Sequence, residues 1–165
     1  MRAFVTGVNG YIGAVLAPYL SQRGIDVRGL DTGYYRDGWL YSDNRTLPIA
    51  PVTLNKDLRL ISEDDLEGCD AVVHLAELSN DPLGQNNPAV AHKINHAGSV
   101  AWARTARGMR IRRFVYTSSC SVYGVGTGDG YLDETTSTNP QTAYAECKVL
   151  VERDVGEMAD ASFAP

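Results

Sequence analysis

Residues 1–31 read MRAFVTGVNGYIGAVLAPYLSQRGIDVRGLD. Arg2 to Thr6 (RAFVT) is a short apolar run of the kind that forms a buried strand. From Tyr11 to Arg23 the period changes. Ile12, Val15, Leu16, Tyr19 and Leu20 recur on one helical face, so a helix is expected there, with Gly24 as its stop. Pro18 lies inside it and is expected to kink it unless the lost backbone bond is absorbed. Ile25 to Leu30 (IDVRGL) reads as a second strand. The turn between the first strand and the helix carries Gly7, Gly10 and Gly13 at a spacing of three.

The same alternation continues outward. Pro51–Asn55 and Ala71–Leu75 (AVVHL) read as strands, with a short helix over Ser62–Glu67 between them. Asn87-Pro88 is a strong helix start, an Asn cap followed by a Pro in the first turn. That helix is expected to run to Arg107, with Val90, Ile94, Ala97 and Ala101 as its stripe and Gly108 as its stop. Arg113–Thr117 reads as a fifth strand and Thr142–Met158 as a last helix. Strands alternating with helices imply an α/β fold whose sheet is parallel and covered on both faces. Right-handed crossovers make it doubly wound, with strand order 3-2-1-4-5. Residues 1–165 thus read as one domain. Phe163-Ala164-Pro165 resembles the approach to a further strand, so the chain is expected to be incomplete, stopping before the last strands. Thr32 to Pro51, with Tyr34, Tyr35, Trp39 and Tyr41, is long for a loop in a compact domain and suggests function or mobility.

Bulk properties exclude several functions. Hydrophobic residues are 44% and charged residues 21%, an ordinary globular composition. Lys and Arg total 15 against 20 Asp and Glu, a net charge of −5. A nucleic-acid partner would call for a clustered basic excess, so none is expected. Any phosphate site must instead be built from backbone amides or a few placed cations. No apolar run approaches a membrane span, and the N-terminus enters an ordered pattern without a signal peptide; a cytoplasmic location is expected. Cys69, Cys120 and Cys147 are odd in number, lack a CxxC spacing and read as free thiols. His92 and His96, four apart, belong to no recognisable metal motif, and no metal is expected.

Three constellations carry chemistry. The first is the glycine turn, TGVNGYIG. Placed between strand and helix, it lets a pyrophosphate approach the backbone and presents helix N-terminal amides to it. Gly7, Asn9, Gly10, Tyr11, Ile12 and Gly13 are therefore expected to bind a dinucleotide. Asp31, at the end of the second strand, can accept hydrogen bonds from ribose hydroxyls and would repel a 2′-phosphate, so NAD is favoured over NADP. The second is Tyr144-x-x-x-Lys148, whose spacing places both side chains on one helical face. A tyrosine with a free pKa of about 10 is a poor base, but a nearby ammonium favours its phenolate. The third is TSSCSVYG, Thr117 to Gly124, at the C-terminal end of the fifth strand, where open parallel sheets bind ligands.

Taken with Asp57-Leu58, the HLA of His74 to Ala76, and Asn95, these stretches resemble the extended short-chain dehydrogenase/reductase family. The resemblance is strongest to its sugar-nucleotide epimerases and dehydratases, and covers nearly the whole chain in order. It implies a Rossmann fold, bound NAD and a sugar-nucleotide substrate. It implies that Ser119, Tyr144 and Lys148 are catalytic. It further implies that Asp57 and Leu58 contact the adenine, that Leu75 and Ala76 line the cofactor, that Asn95 lies beneath the site, and that Tyr144 and Lys148 also touch the nicotinamide ribose. It implies a substrate region after residue 165, so that these residues alone would be inactive. A homodimer through helices 89–107 and 142–158 is the family's habit, and the small residues Ala97, Gly98 and Ala101 would permit it; packing of that stripe on the sheet is the equal alternative. Two departures stand out. Cys120 and Ser121 occupy positions where dehydratases carry acids, which favours epimerisation or simple oxidoreduction. Glu77 follows HLA where a small residue is usual, and reads equally as a substrate-facing group or a solvated loop carboxylate. Besides the epimerase or dehydratase reading, a reductase that releases its nicotinamide product and a dinucleotide-binding module without turnover remain open.

Overall fold

The computed structural model describes residues 1–34, 51–79, 81–126 and 130–165, apart from the side chain of Asp81. The expectations placed on Tyr35, Trp39 and Tyr41 lie outside these residues. Five strands form one parallel sheet: β1 (Arg2–Thr6), β2 (Asp26–Asp31), β3 (Val52–Asn55), β4 (Ala71–His74) and β5 (Arg113–Tyr116). Their order is β3-β2-β1-β4-β5, as the alternation predicts. Beyond β5 the chain returns in parallel through a single bridge, Arg113 to Ala164, closed by Ala164 N donating to the Arg112 carbonyl at 2.9 Å.

Register divides the side chains between two faces. Phe4, Val72 and Phe114 are cross-strand neighbours on one face. They are fully buried with Leu30, Trp102, Val151 and Phe163 in the main core. Each such side chain contributes roughly 1.5–3 kcal/mol by leaving water. The cover on this face is α4 (Ser99–Gly108) and α5 (Ala143–Gly156), with α3 (Pro88–Ala91) packed beside α5. A short helix, α2 (Asp81–Asn86), precedes them and was not expected from the sequence. Ser62–Glu67 is reduced to one 3-10 turn, Glu63–Leu66, whose Leu66 is fully buried.

The helix expected over residues 87–107 is interrupted. His92–Gly98 is a π-helical segment between α3 and α4, a distortion common at functional sites. It turns Asn95 fully inward. Gly98 also faces inward, where a Cβ would collide with Leu58, while Ala97 and Ala101 face solvent. The small-residue stripe therefore splits, one member packing inside and two outside.

On the opposite face lies α1 (Gly13–Gln22), with a small core of Val5, Val8, Ala17 and Val27. Here the apolar stripe misleads. Ile12, Val15 and Tyr19 are exposed, Leu16 and Leu20 are half-buried, and Gly13, Ala17 and Pro18 face the sheet. The helix must approach the glycine turn closely, and only small residues leave room for that. α1 continues across Pro18 as one element.

Candidate active site

Because every strand is parallel, the C-terminal ends of β1, β2, β4 and β5 open on one edge of the sheet. The glycine turn, Asp31, Leu75–Glu77 and Thr117–Ser119 all lie there. In the glycine turn, a Cβ on Gly7 would sit 2.9 Å from the Ala76 amide nitrogen. One on Gly13 would strike the Gly7 carbonyl and lie 2.7 Å from Val8 Cα. The amides of Tyr11, Ile12 and Gly13 meet no acceptor among the described residues. Three orphan donors at the start of a ten-residue helix suit an anionic group. Asp31 is fixed beside them, accepting from Asn9 N at 3.1 Å and Gly33 N at 2.8 Å. Ser118 Oγ, on the β5 side, is buried without a partner among the described residues. Orphan amides, a backbone cradle and an unspent hydroxyl fit a dinucleotide such as NAD.

The β4 end is held by two side chains. Thr6 Oγ1 accepts from Leu75 N at 3.1 Å and from Ala76 N at 3.0 Å. Asn95 grips the next residues, accepting from Leu78 N at 2.8 Å and donating to the Leu78 carbonyl at 3.0 Å. The Asn95 amide is thus spent on the loop, and supports the site from behind. Leu58 is likewise drawn into the core. Asp57 caps the following turn and is bound at 2.6 Å by Arg59, which holds its carboxyl below the usual range.

His74 closes this layer. Its Nδ1 lies 2.7 Å from Thr6 Oγ1 and its Nε2 2.8 Å from Ser99 Oγ. Thr6 Oγ1 already accepts two amide protons, so its own O–H is left to donate to Nδ1. The proton on the ring is therefore at Nε2, donating to Ser99. A second ring proton would meet no lone pair. Burial first, and then the charge of Lys148, lower its pKa to about 3. An unfolded histidine titrates near 6.5, so between about pH 6.5 and 3 the unfolded chain binds a proton that the fold does not. The fold is therefore favoured above pH 6.5 and loses stability as the pH falls below it. Histidine NMR checks this. His74 is expected to stay neutral at pH 5, and a titration midpoint near 6.5 would contradict the assignment.

The last two constellations meet on the far side. Ser119 caps the 3-10 turn Cys120–Tyr123, and its Oγ accepts from Ser121 N at 3.2 Å and Ser121 Oγ at 2.9 Å. Asn139 N donates to the Val122 carbonyl at 2.8 Å, tying this turn to the approach to α5. Thr142 caps α5 through Ala145 N. Four residues apart, Tyr144 and Lys148 share a face, and the Lys148 ammonium lies 5.3 Å from the centre of the Tyr144 ring. That ammonium is buried. It donates to the Thr117 carbonyl and faces Glu77 Oε2 at 2.7 Å. The other Glu77 oxygen accepts from Tyr116 Oη at 2.6 Å. Glu77 is thus no solvated loop carboxylate; its side chain is 3% exposed. Nothing in the local pattern of HLAEL announces a partner 71 residues away.

His92 and His96 also find partners unseen in the sequence. His96 Nε2 lies 2.7 Å from Asp154 and His92 Nε2 3.5 Å from Glu146, both acids on α5. They staple α5 to the π-helical segment. No cluster of three or more potential metal ligands occurs among the described residues. Nor is any helix among them long and apolar enough to cross a membrane.

The chain is similar to several known proteins. The chain is 30% identical over 155 residues to a 4-hydroxy-2-methyl-3-oxo-4-farnesyl-3,4-dihydroquinoline-1-oxide ketoreductase of Stigmatella aurantiaca, covering 93% of this chain and 44% of that one. Among solved structures, it matches UDP-glucose-4-epimerase of Stenotrophomonas maltophila with bound NAD (TM-score 0.83, 29% identity, 96% of this chain and 48% of that one). It matches the NAD dependent NDP-hexosamine 5,6-dehydratase TunA equally well (TM-score 0.83, 27% identity, 99% and 52%). The chain spans about half the length of the curated relatives it matches. Residues 3–164 match the NAD dependent epimerase/dehydratase family. With its five-stranded doubly wound sheet and glycine turn, the chain belongs to the NAD dependent epimerase/dehydratase family.

Proposed function

We propose that this chain is the NAD-binding domain of an enzyme that epimerises a sugar nucleotide by transiently oxidising one sugar hydroxyl. The observation that carries the reading is the grouping of Tyr144, the Lys148 ammonium and the Ser119 turn on the sheet edge that also holds the glycine turn. NAD, when bound, supplies the hydride acceptor. Gly7, Gly10 and Gly13 admit the pyrophosphate, and the amides of Tyr11, Ile12 and Gly13 bind it. Asn9 and Gly33 hold Asp31 for the adenosine ribose hydroxyls. Asp57, Leu58, Leu75 and Ala76 border the nucleotide, and Asn95 braces Leu78 behind them. Lys148 also holds the nicotinamide ribose.

Ser119 accepts two hydrogen bonds, which leaves its O–H to orient the oxygen of the reacting carbon. Tyr144 takes the hydroxyl proton during oxidation and returns it when the ketone is reduced on its other face. The Lys148 ammonium stabilises the phenolate that this requires. The sugar contacts are completed by polypeptide outside residues 1–165, and the whole enzyme pairs through helices 89–107 and 142–158, where Ala97 and Ala101 face outward.

The ketoreductase relative favours a second reading, net reduction with release of the oxidised cofactor. The complete polypeptide carrying these residues decides between them when given UDP-glucose. Conversion to UDP-galactose without lasting absorbance at 340 nm is the expected result. Consumption of added NADH in proportion to product would replace epimerisation with reduction. These 165 residues alone are expected to bind NAD without turnover.

A further inference from the structure

Among the described residues, Glu77 is the one carboxylate buried against the expected catalytic lysine, and the reaction proposed above gives it no task. Its position is over-determined. Thr6 holds the two residues before it, and Asn95 holds the residue after it through both amide atoms. Its side chain turns inward, where Tyr116 Oη and Lys148 Nζ meet it at 2.6 and 2.7 Å. The Lys148 ammonium lies 2.7 Å from Glu77 Oε2, a close charge contact that fixes where the ammonium sits. Lys148 is thereby held between Glu77 and the Thr117 carbonyl, 4.5 Å from the Tyr116 ring centre and 5.3 Å from that of Tyr144.

We propose that Glu77 is a positioning residue that anchors the Lys148 ammonium and offsets its charge, so that the acidity of Tyr144 is set by a Glu77–Lys148 pair and not by Lys148 alone. This rests on the oxidoreductive reading of Tyr144. A lone ammonium lowers the pKa of a neighbouring phenol; a carboxylate behind that ammonium returns part of the effect. The titratable groups around the pair are few. Tyr116 approaches from β5, Tyr144 and Cys147 from α5, and His74 from β4. Burial keeps His74 neutral and pushes the Cys147 thiol up to about 11; burial and Glu77 raise the Tyr116 phenol. Among the described groups there, Glu77 and Lys148 form the ion pair. Burial also raises the Glu77 carboxyl, against the pull of Lys148 and of the Tyr116 hydrogen bond.

The test is Glu77→Gln, which keeps the shape and a carbonyl for Tyr116 while removing the charge. In the complete enzyme, the oxidation half-reaction, read as transient NADH absorbance at 340 nm in a single turnover, is expected to rise with pH as Tyr144 ionises. The midpoint of that rise is expected to move to lower pH by about one unit in Glu77→Gln. Glu77→Asp, which keeps the charge, is expected to leave it within a few tenths of a unit of the parent. A merely structural Glu77 would lower stability or turnover in both variants without moving the midpoint, and that result overturns the proposal. A second readout needs no cofactor or turnover. The chain has three lysines, Lys56, Lys93 and Lys148. In ¹⁵N-lysine NMR of residues 1–165, the buried Lys148 ammonium is expected to exchange its protons slowly, and at least tenfold faster in Glu77→Gln. Equal exchange in parent and variant would show that Glu77 does not anchor it. Full turnover in Tyr144→Phe would instead refute the oxidoreductive reading, and the exchange measurement would still decide on the Glu77–Lys148 anchor.

Discussion

Gly13→Ala is expected to abolish NAD binding and to lower stability by about 3 kcal/mol, the upper part of the range for overpacking. The reason lies in what the new methyl group meets. It would collide with the Gly7 carbonyl and stand 2.7 Å from both Val8 Cα and Val8 O, all backbone atoms that no rotamer change can move. Relief requires α1 to withdraw from the turn, which separates the Tyr11, Ile12 and Gly13 amides that are proposed to bind the pyrophosphate. Gly10→Ala is the control. Its Cβ would meet only the Gly7 carbonyl, at 3.2 Å, a contact that yields with a shift of a few tenths of an ångström. Urea unfolding and calorimetric NAD titration of both variants check the contrast. Equal losses in the two would mean that close backbone approach at Gly13 does not govern the site.

Tyr144→Phe is expected to reduce turnover of the complete enzyme by about 10²- to 10⁴-fold, the usual contribution of a positioned acid/base. The ring, its place on α5 and its distance from Lys148 are retained; only the hydroxyl is lost. NAD affinity should therefore change little, because the glycine turn and Asp31 are untouched. The loss should fall on kcat, since proton transfer belongs to the reacting state and not to ground-state binding. A variant with full kcat would remove Tyr144 from the acid/base role.

Most of the fold was readable because it depends on local periodicity. The five strands and their order follow from apolar runs and one handed crossover rule, and strand ends differ from expectation by a residue. What escaped was set by contacts distant in sequence. The stripe on α1 gave the wrong inward face, because nearness to the glycine turn selected Gly13 and Ala17 over the larger Val15 and Tyr19. The π-helical segment over His92–Gly98 has no periodicity signal; it is anchored by His96 on Asp154, 58 residues away. At the site, Gly7, Gly13 and Asp31 were legible as a motif in a strand–turn–helix context. The spacing of Tyr144 and Lys148 placed them on one face. Glu77 was visible only as a departure from a pattern. Its meaning required knowing that Asn95 and Thr6 turn the loop and that Lys148 waits beneath it. His74 could not be distinguished from any buried strand residue until Thr6 and Ser99 appeared on either side of its ring.

With Asp31 receiving the adenosine ribose, this edge of the sheet is expected to bind NAD and reject NADP. Titration of the 165-residue chain with each dinucleotide should give one NAD per chain and affinity for NADP weaker by about tenfold or more, equivalent to at least about 1.4 kcal/mol. Equal or tighter binding of NADP, or no binding of either dinucleotide, would contradict that expectation.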